Sequence, residues 1–249
     1  QIERAKLFQQ LHTLGKPLLL PNAWDVGSAK AIEKSGVCAI ATSSWAVASA
    51  YGYEDGEKIP LKLVLDNASR IIASVKCPVT LDIETGYSPT PEGVKRTIIK
   101  VIETGVVGIN LEDQNLHQIN GNLYSIDEQT KRIAQARQAA EKKSVPLFIN
   151  ARTDVFFKPS EKLEQEKLDE VINRAHAYAR AGANGIFVPG LIDRTVAEFL
   201  CQNSPLPVNL MLTTGDKELI DHYSNIGVSR ISFGLFPYTH VMSELTSLS

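Results

Sequence analysis

The 249-residue sequence contains few cysteines, no long apolar run and no excess of charge of either sign. Its three cysteines, Cys38, Cys77 and Cys201, are odd in number and widely spaced, so neither a disulfide framework nor a zinc-ligand spacing is present. No stretch of about 18 apolar residues exists to span a membrane. A net charge of −2 without a Lys/Arg cluster argues against a nucleic-acid partner. The N-terminal QIERAKLFQQLHTLGK lacks the apolar core of a secretory leader, and a cytoplasmic location is the expectation. Glycine-rich dinucleotide loops, Walker loops and GxSxG elbows are absent as well, and no strand-end lysine stands out for a Schiff base.

What is there is an alternation. Apolar, Val/Ile-rich runs near residues 17–20, 38–42, 78–84, 107–112, 146–152, 185–189, 207–211 and 229–233 read as strands buried on both faces of a parallel sheet. Helical periodicity fills the intervals, as in Asp25–Ser35, Pro91–Thr104 and Leu168–Ala181. The punctuation of SGVCAI, TGVVGI, AGANGI and IGVSRI, a glycine between helix end and strand, repeats through the chain. Eight such βα units predict a single (β/α)8 barrel domain over residues 1–249. The tail FGLFPYTHVMSELTSLS follows as a C-terminal helical segment, apolar at intervals.

Barrels of this kind carry chemistry at the C-terminal ends of their strands. There the sequence places Asp55 beyond strand 2, Asp82 and Glu84 on strand 3, Glu112 with Asp113 on strand 4, and Arg152 on strand 5. Asp82 and Glu84 are two apart, so on a strand both face the barrel interior. Carboxylates crowded there are costly to bury unless a cation sits among them, and oxygen ligands suit Mg2+, with Mn2+ as a substitute. The candidate metal set is therefore Asp82, Glu84, Glu112 and Asp55; the plainer readings are rim salt bridges and, for Asp55, a turn. Arg152 is read as a clamp for a substrate anion or as a salt bridge to Glu112 or Asp154.

Two long connections, residues 43–60 and 113–127, are expected to be structureless lid or binding loops. Ser43 and Ser44 open the first, with backbone amides suited to a carboxylate; Trp45 and Asn209 complete the substrate-binding set. The second carries His117, which would move protons or be solvated, and Asn120, which would act on substrate or simply form an Asn-Gly turn. The three cysteines are expected to lie away from the mouth, which predicts chemistry insensitive to thiol reagents.

NAWDVGSAKAIEKSG, AIATSSWAVASAYGYEDGE, PVTLDIETGY, GVVGINLEDQ, FINARTDVF and GIFVPGL, taken in order, resemble the isocitrate lyase/phosphoenolpyruvate mutase superfamily over most of the chain. The resemblance implies Mg2+, a small 2-oxocarboxylate substrate, and a homo-oligomer, dimer or tetramer, in which the C-terminal helices are exchanged. By position, Asp82 resembles the direct metal ligand; Glu84 takes the place of a second carboxylate acting through water, Glu112 resembles the third, and Asp55 the acid that helps order the metal's waters. Ser43 and Ser44 match the amides that hold the substrate carboxylate, and Arg152 the arginine on its reacting side. Two departures follow. The loop QNLHQINGN lacks the Lys-Lys-Cys-Gly-His signature of true isocitrate and methylisocitrate lyases. Its Gln118-Ile-Asn120 keeps the asparagine but not the lysine of the phosphonopyruvate branch. The expected activity is thus a Mg2+-dependent lyase or decarboxylase that breaks a bond at C3 of a small 2-oxo- or 2-hydroxy-dicarboxylate through a pyruvate enolate. Phosphonopyruvate hydrolase or mutase chemistry and non-catalytic oxo-acid binding are the alternatives.

Overall fold

The computed structural model describes residues 1–13, 15–117 and 122–248. Among them, nine parallel strands and ten helices alternate along the chain. The chain begins with α1 (Ile2–Gln10), followed by β1 (Leu18–Leu20), β2 (Asn22–Ala23), α2 (Val26–Lys34), β3 (Ile40–Thr42), α3 (Ser44–Ala50), α4 (Leu61–Ser74) and β4 (Val79–Asp82). Next come α5 (Pro91–Glu103), β5 (Gly108–Glu112), α6 (Ile126–Lys142), β6 (Phe148–Arg152), α7 (Glu164–Arg180) and β7 (Gly185–Phe187). The last are α8 (Arg194–Asn203), β8 (Val208–Met211), α9 (Lys217–Asn225), β9 (Arg230–Ser232) and α10 (Phe236–Ser247).

The sheet runs β1-β9-β8-β7-β6-β5-β4-β3-β2. β1 and β2 are two halves of one run, so the sheet returns to its start and forms the expected α/β barrel. The ninth strand has a local cause. Pro21 has no N–H for the ladder, and the pairing partner changes across it: Leu18–Leu20 pair with β9, Asn22 and Ala23 with β3. The Pro21 carbonyl still accepts the Ala41 amide.

Helix punctuation follows the sequence pattern. Asp25 and Ser28 form a reciprocal cap on α2, and Thr90 caps α5 with Pro91 in its first turn. Gly36, Gly105, Gly182 and Gly227, just past four helix ends, have φ of 86°, 97°, 99° and 95°, which side-chain-bearing residues rarely adopt.

Two expectations fail locally. Residues 43–60 are not structureless: α3 occupies Ser44–Ala50, with the Ser43 hydroxyl accepting the Ala46 amide as its cap. Glu84 is not on a strand. β4 stops at Asp82, and Glu84 has φ 51°, so strand alternation does not set its direction.

The N-terminal end of the barrel is plugged. Phe8 of α1 is fully buried and meets Phe148 edge to face at 5.5 Å, while the His12 ring stacks on Phe148 at 4.0 Å. Gly108 makes room, since a Cβ there would lie 2.9 Å from the Phe8 ring. The tail forms α10 as expected, with no buried residue; Tyr238 packs its edge on Trp24 and Trp45 at 5.1 and 5.8 Å. None of the described helices is long and apolar enough to cross a membrane.

Candidate active site at the barrel mouth

The strand ends gather the acids. Asp82 closes β4. Its Oδ2 receives the Ser44 amide at 3.4 Å, and its Oδ1 is buried without a partner. Glu84 turns toward the connection that follows β3. Its Oε2 accepts the Gly56 and Glu57 amides at 2.8 and 2.6 Å, and its Oε1 accepts the Tyr87 hydroxyl at 3.2 Å. Glu84 thereby holds the turn that carries Asp55. Glu57 returns the clamp, accepting the Thr85 hydroxyl and the Tyr87 amide at 2.6 and 2.7 Å.

Glu112 ends β5 and is 5% exposed. It pairs with Arg152 at 3.0 Å. The rest of the Arg152 fork is bidentate to Asp154: Nε to Oδ1 at 2.6 Å and an NH2 nitrogen to Oδ2 at 3.0 Å. Both of the salt bridges considered for Arg152 are thus present. Phe157 and Phe187 flank the guanidinium, 5.3 and 5.9 Å from their ring centres. Asp113 turns away from the mouth. It is fully buried against Arg174 at 3.1 Å and the Tyr178 hydroxyl at 2.9 Å.

Crowding shows in proton affinity. Burial first, then Asp55 and Asp82, push Glu84 up to about 8. Burial pushes Glu112 well above the carboxylate range; Arg152 opposes this, while Asp154 and Asp82 add to it. Burial and Asp82 raise Asp55. Burial works against the Arg152 charge, yet Glu112 and Asp154 hold its proton well above the ordinary value.

The other candidates spread over two levels. Ser43, Ser44 and Trp45 line the mouth with Asp55, Asp82 and Arg152. The Ser43 amide already donates to the Ala23 carbonyl at 3.3 Å, which leaves the Ser44 amide as the one directed at the acids. His117 borders the adjoining cleft with Glu84, Glu112 and Arg152, and its amide donates to the Asn115 side chain at 3.1 Å. Asn120 and Gln118 lie outside the described residues. Asn209 sits on β8, fully buried below the mouth, where its Oδ1 accepts the Ser232 hydroxyl at 3.2 Å. Cys38 and Cys77 precede β3 and β4 at the far end of the barrel, and Cys201 is on α8. Burial pushes the Cys77 and Cys201 thiols up to about 12.

Three residues had no place in the sequence-based site. Asp154 is the main partner of Arg152. Asn110, in mid-strand on β5, lines the mouth. Arg230, at the start of β9, is 1% exposed inside the barrel. The available signals were the spacing Arg-Thr-Asp and the polar i, i+2 pair Arg230 and Ser232, which places both on the inward face of a buried strand.

The donor set can be weighed against a metal. Among the described residues no three His, Cys, Asp or Glu side chains converge closely enough to form a ready ligand cage. Glu84 spends its oxygens on two amides and the Tyr87 hydroxyl, and Glu112 places its Oε2 on Arg152. The orphaned Asp82 Oδ1, with raised acids around it, instead fits a hard cation held by one carboxylate and otherwise by water, the habit of Mg2+.

Comparison with known proteins agrees with this architecture. A crystal structure from Burkholderia cenocepacia J2315, provisionally described as a phosphonomutase, superposes with a TM-score of 0.94 at 44% identity, covering 99% of this chain and 97% of that one. An uncharacterised protein of Mycobacterium tuberculosis (strain H37Rv) is 35% identical over 234 residues, 93% of this chain and 83% of its own. The 2-methylisocitrate lyase of Halalkalibacterium halodurans is 30% identical over 214 residues, covering 86% and 69%. The model of the phosphoenolpyruvate phosphomutase family matches residues 8–249, and the chain belongs to that family.

Proposed function

We propose that the protein is a Mg2+-dependent lyase or decarboxylase that breaks a bond at C3 of a small 2-oxo- or 2-hydroxy-dicarboxylate. The observation that carries this reading is Asp82: a buried carboxylate oxygen without a partner, facing a mouth in which acids outnumber cations. Asp82 would hold the cation directly, and Glu112 and Asp55 through water. Glu84 contributes by fixing the Asp55 turn. Bound there, a divalent cation would supply Lewis-acid stabilisation of negative charge developing on the substrate's 2-oxo oxygen.

The chain's own residues then divide the remaining work. The Ser44 amide is placed to receive the substrate carboxylate, since its present acceptor is distant at 3.4 Å. Asp154 fixes Arg152 through two nitrogens and leaves the NH1 edge, now on Glu112, to receive the departing acid group. Phe157 and Phe187 pack beside that guanidinium and would shield its substrate-facing edge once a ligand closes over it. His117, at the rim, is the candidate proton carrier. A homo-oligomer, dimer or tetramer, belongs to the same reading; α10, which buries none of its residues, is the segment available to a neighbouring subunit.

Phosphonopyruvate hydrolase or mutase chemistry is the second reading, favoured by the 44% identity to a protein provisionally described as a phosphonomutase. Against it stands the lining of the inner mouth, where Arg152 is the one basic side chain among the described residues. The test is pyruvate release from oxaloacetate, a series of alkylmalates and phosphonopyruvate, with Mg2+ and with chelator. Metal-dependent turnover of a carbon acid supports the lyase. Turnover of phosphonopyruvate alone supports the second reading. Oxalate binding without any turnover would make the protein an oxo-acid-binding member.

A further inference from the structure

We propose that Asn110 is a substrate-contacting hydrogen-bond donor on the floor of the mouth, and that Arg230 is the positioning residue that turns its amide toward the pocket. This rests on the reading of the mouth as an oxo-acid site and adds to it a specific oxygen-binding group.

The argument begins with what fills the bore. Barrels of this type pack their interior layers mainly with branched aliphatic side chains. Here the layer under the mouth holds Asn110, Asn150, Asn209 and Arg230, all at most 4% exposed. Asn110 lies opposite Asp82 on one side and Asn150 on the other. Its Oδ1 accepts two hydrogen bonds, from Asn150 Nδ2 at 2.9 Å and from Arg230 at 3.2 Å. Rotating the amide by half a turn would set its NH2 against two donors. The NH2 is therefore held on the opposite side, and Asn110 is part of the pocket lining there.

Arg230 is buried on hydrogen bonds to Asn110 and Ser232 rather than on an ion pair. Among the described residues no carboxylate lies within ion-pair distance of it. Its Nε donates to Ser232 at 3.3 Å, and its NH1 nitrogen is buried without a partner. A buried guanidinium is costly unless charge elsewhere offsets it. Burial lowers its proton affinity to about 9, with the Asp82 carboxylate above working the other way, so it stays charged at neutral pH. The floor therefore offers a fixed donor backed by a positive field, whereas the Asp82 side offers bare oxygen. A cation is steered to one side of the pocket and an anionic substrate oxygen to the other.

Oxalate, a small planar dianion, is the probe, titrated by calorimetry into protein saturated with Mg2+; Mg2+ affinity is measured separately. Asn110→Asp keeps the shape and the acceptor for Asn150 and Arg230 but replaces the donor by an acceptor. It should weaken oxalate by roughly tenfold or more while Mg2+ binds as well or better. Arg230→Met should weaken oxalate several-fold, and adding it to Asn110→Asp should cost little further, because the two act as one unit. If Arg230→Met does not fold, Asn110→Asp alone decides. Wild-type binding of oxalate with Asn110→Asp within threefold of it would overturn the proposal and leave the oxo-acid reading intact. No oxalate binding by the wild type with Mg2+ or Mn2+ would overturn both.

Discussion

At the N-terminal end of the barrel Phe8, His12 and Phe148 close against one another, with no carboxylate among them. At the C-terminal end Asp55, Asp82, Glu84, Glu112 and Asp154 crowd around one guanidinium. The same nine strands supply both ends. The base is aromatic and free of like charges: Phe8 meets His12 and Phe148 edge to face, and the His12 Nδ1 rests on the Phe8 carbonyl at 2.8 Å, with its Nε2 buried and unpartnered. The mouth differs in charge: like-charged carboxylates share a confined space, and one of them, Asp82, has a buried oxygen without a partner. Crowding of this sort persists where the rest of the fold over-determines it, and it marks the candidate site.

The comparison can be broken at either end. The largest effect is expected from Asp82→Ala. Calorimetry should find Mg2+ binding lost, with turnover lost alongside it. The metal-free melting temperature should hold or rise, since a crowded acid has been removed; equal Mg2+ affinity in the variant would take Asp82 out of the site. Phe8→Ala is the converse. It should cost about 3–5 kcal/mol in denaturant unfolding while Mg2+ affinity is unchanged. A change in metal binding would mean the two ends are coupled.

Arg152→Lys should lower kcat/KM on the best substrate by roughly 30- to 5,000-fold, the range for losing a buried charge-assisted contact of about 2–5 kcal/mol. An ammonium cannot reproduce the fork that Asp154 holds. A change under about threefold would reduce Arg152 to the salt bridges it makes at rest.

A smaller effect sharpens the base. Burial, aided by Arg230, depresses His12 to about 3. A depressed base binds fewer protons folded than unfolded. Stability should therefore be full above pH 6.5 and fall as the pH drops from 6.5 toward 3, by about 1.4 kcal/mol per pH unit at most from this one group. His12→Gln should flatten that slope in thermal melts; an unchanged slope would assign the acid sensitivity elsewhere. The smallest effect expected is none: iodoacetamide should leave activity intact, given thiols at the far end and on α8. Rapid inactivation that oxalate prevents would contradict this.

The barrel was legible because its signals are repeated. Strands such as GIFVP are apolar throughout, and glycine closes one helix after another at the same offset. Pro21 was harder, because an interruption of one residue looks the same in sequence whether a strand ends or changes partners. The site was legible where residue type decides chemistry, as for Asp82, Glu112 and Arg152 at strand ends. It was not legible where backbone conformation decides. At φ 51° Glu84 leaves the strand alternation and reaches the Asp55 turn, and nothing in TLDIETG marks that reversal. Arg230 was passed over because SRISF reads as an ordinary strand until the inward face of i, i+2 is followed around the closed sheet. Asp113 and Glu112 are neighbours with opposite fates, one facing Arg174 on α7 and the other the mouth.

The strand broken at Pro21 also sets a timetable for folding. Among the described residues Leu18–Leu20 pairs only with Arg230–Ser232, and Asn22 accepts the amide of Gly234, 212 residues later. At ~5–20 residues per second the ribosome needs about 10–40 s to supply that partner. For that interval one edge of three leucines stands with its ladder open, the kind of edge that recruits other chains. β1 is thus among the last of these strands to be paired. Variants that weaken β9 should show themselves first as aggregation during synthesis, before any loss of melting temperature in the finished protein.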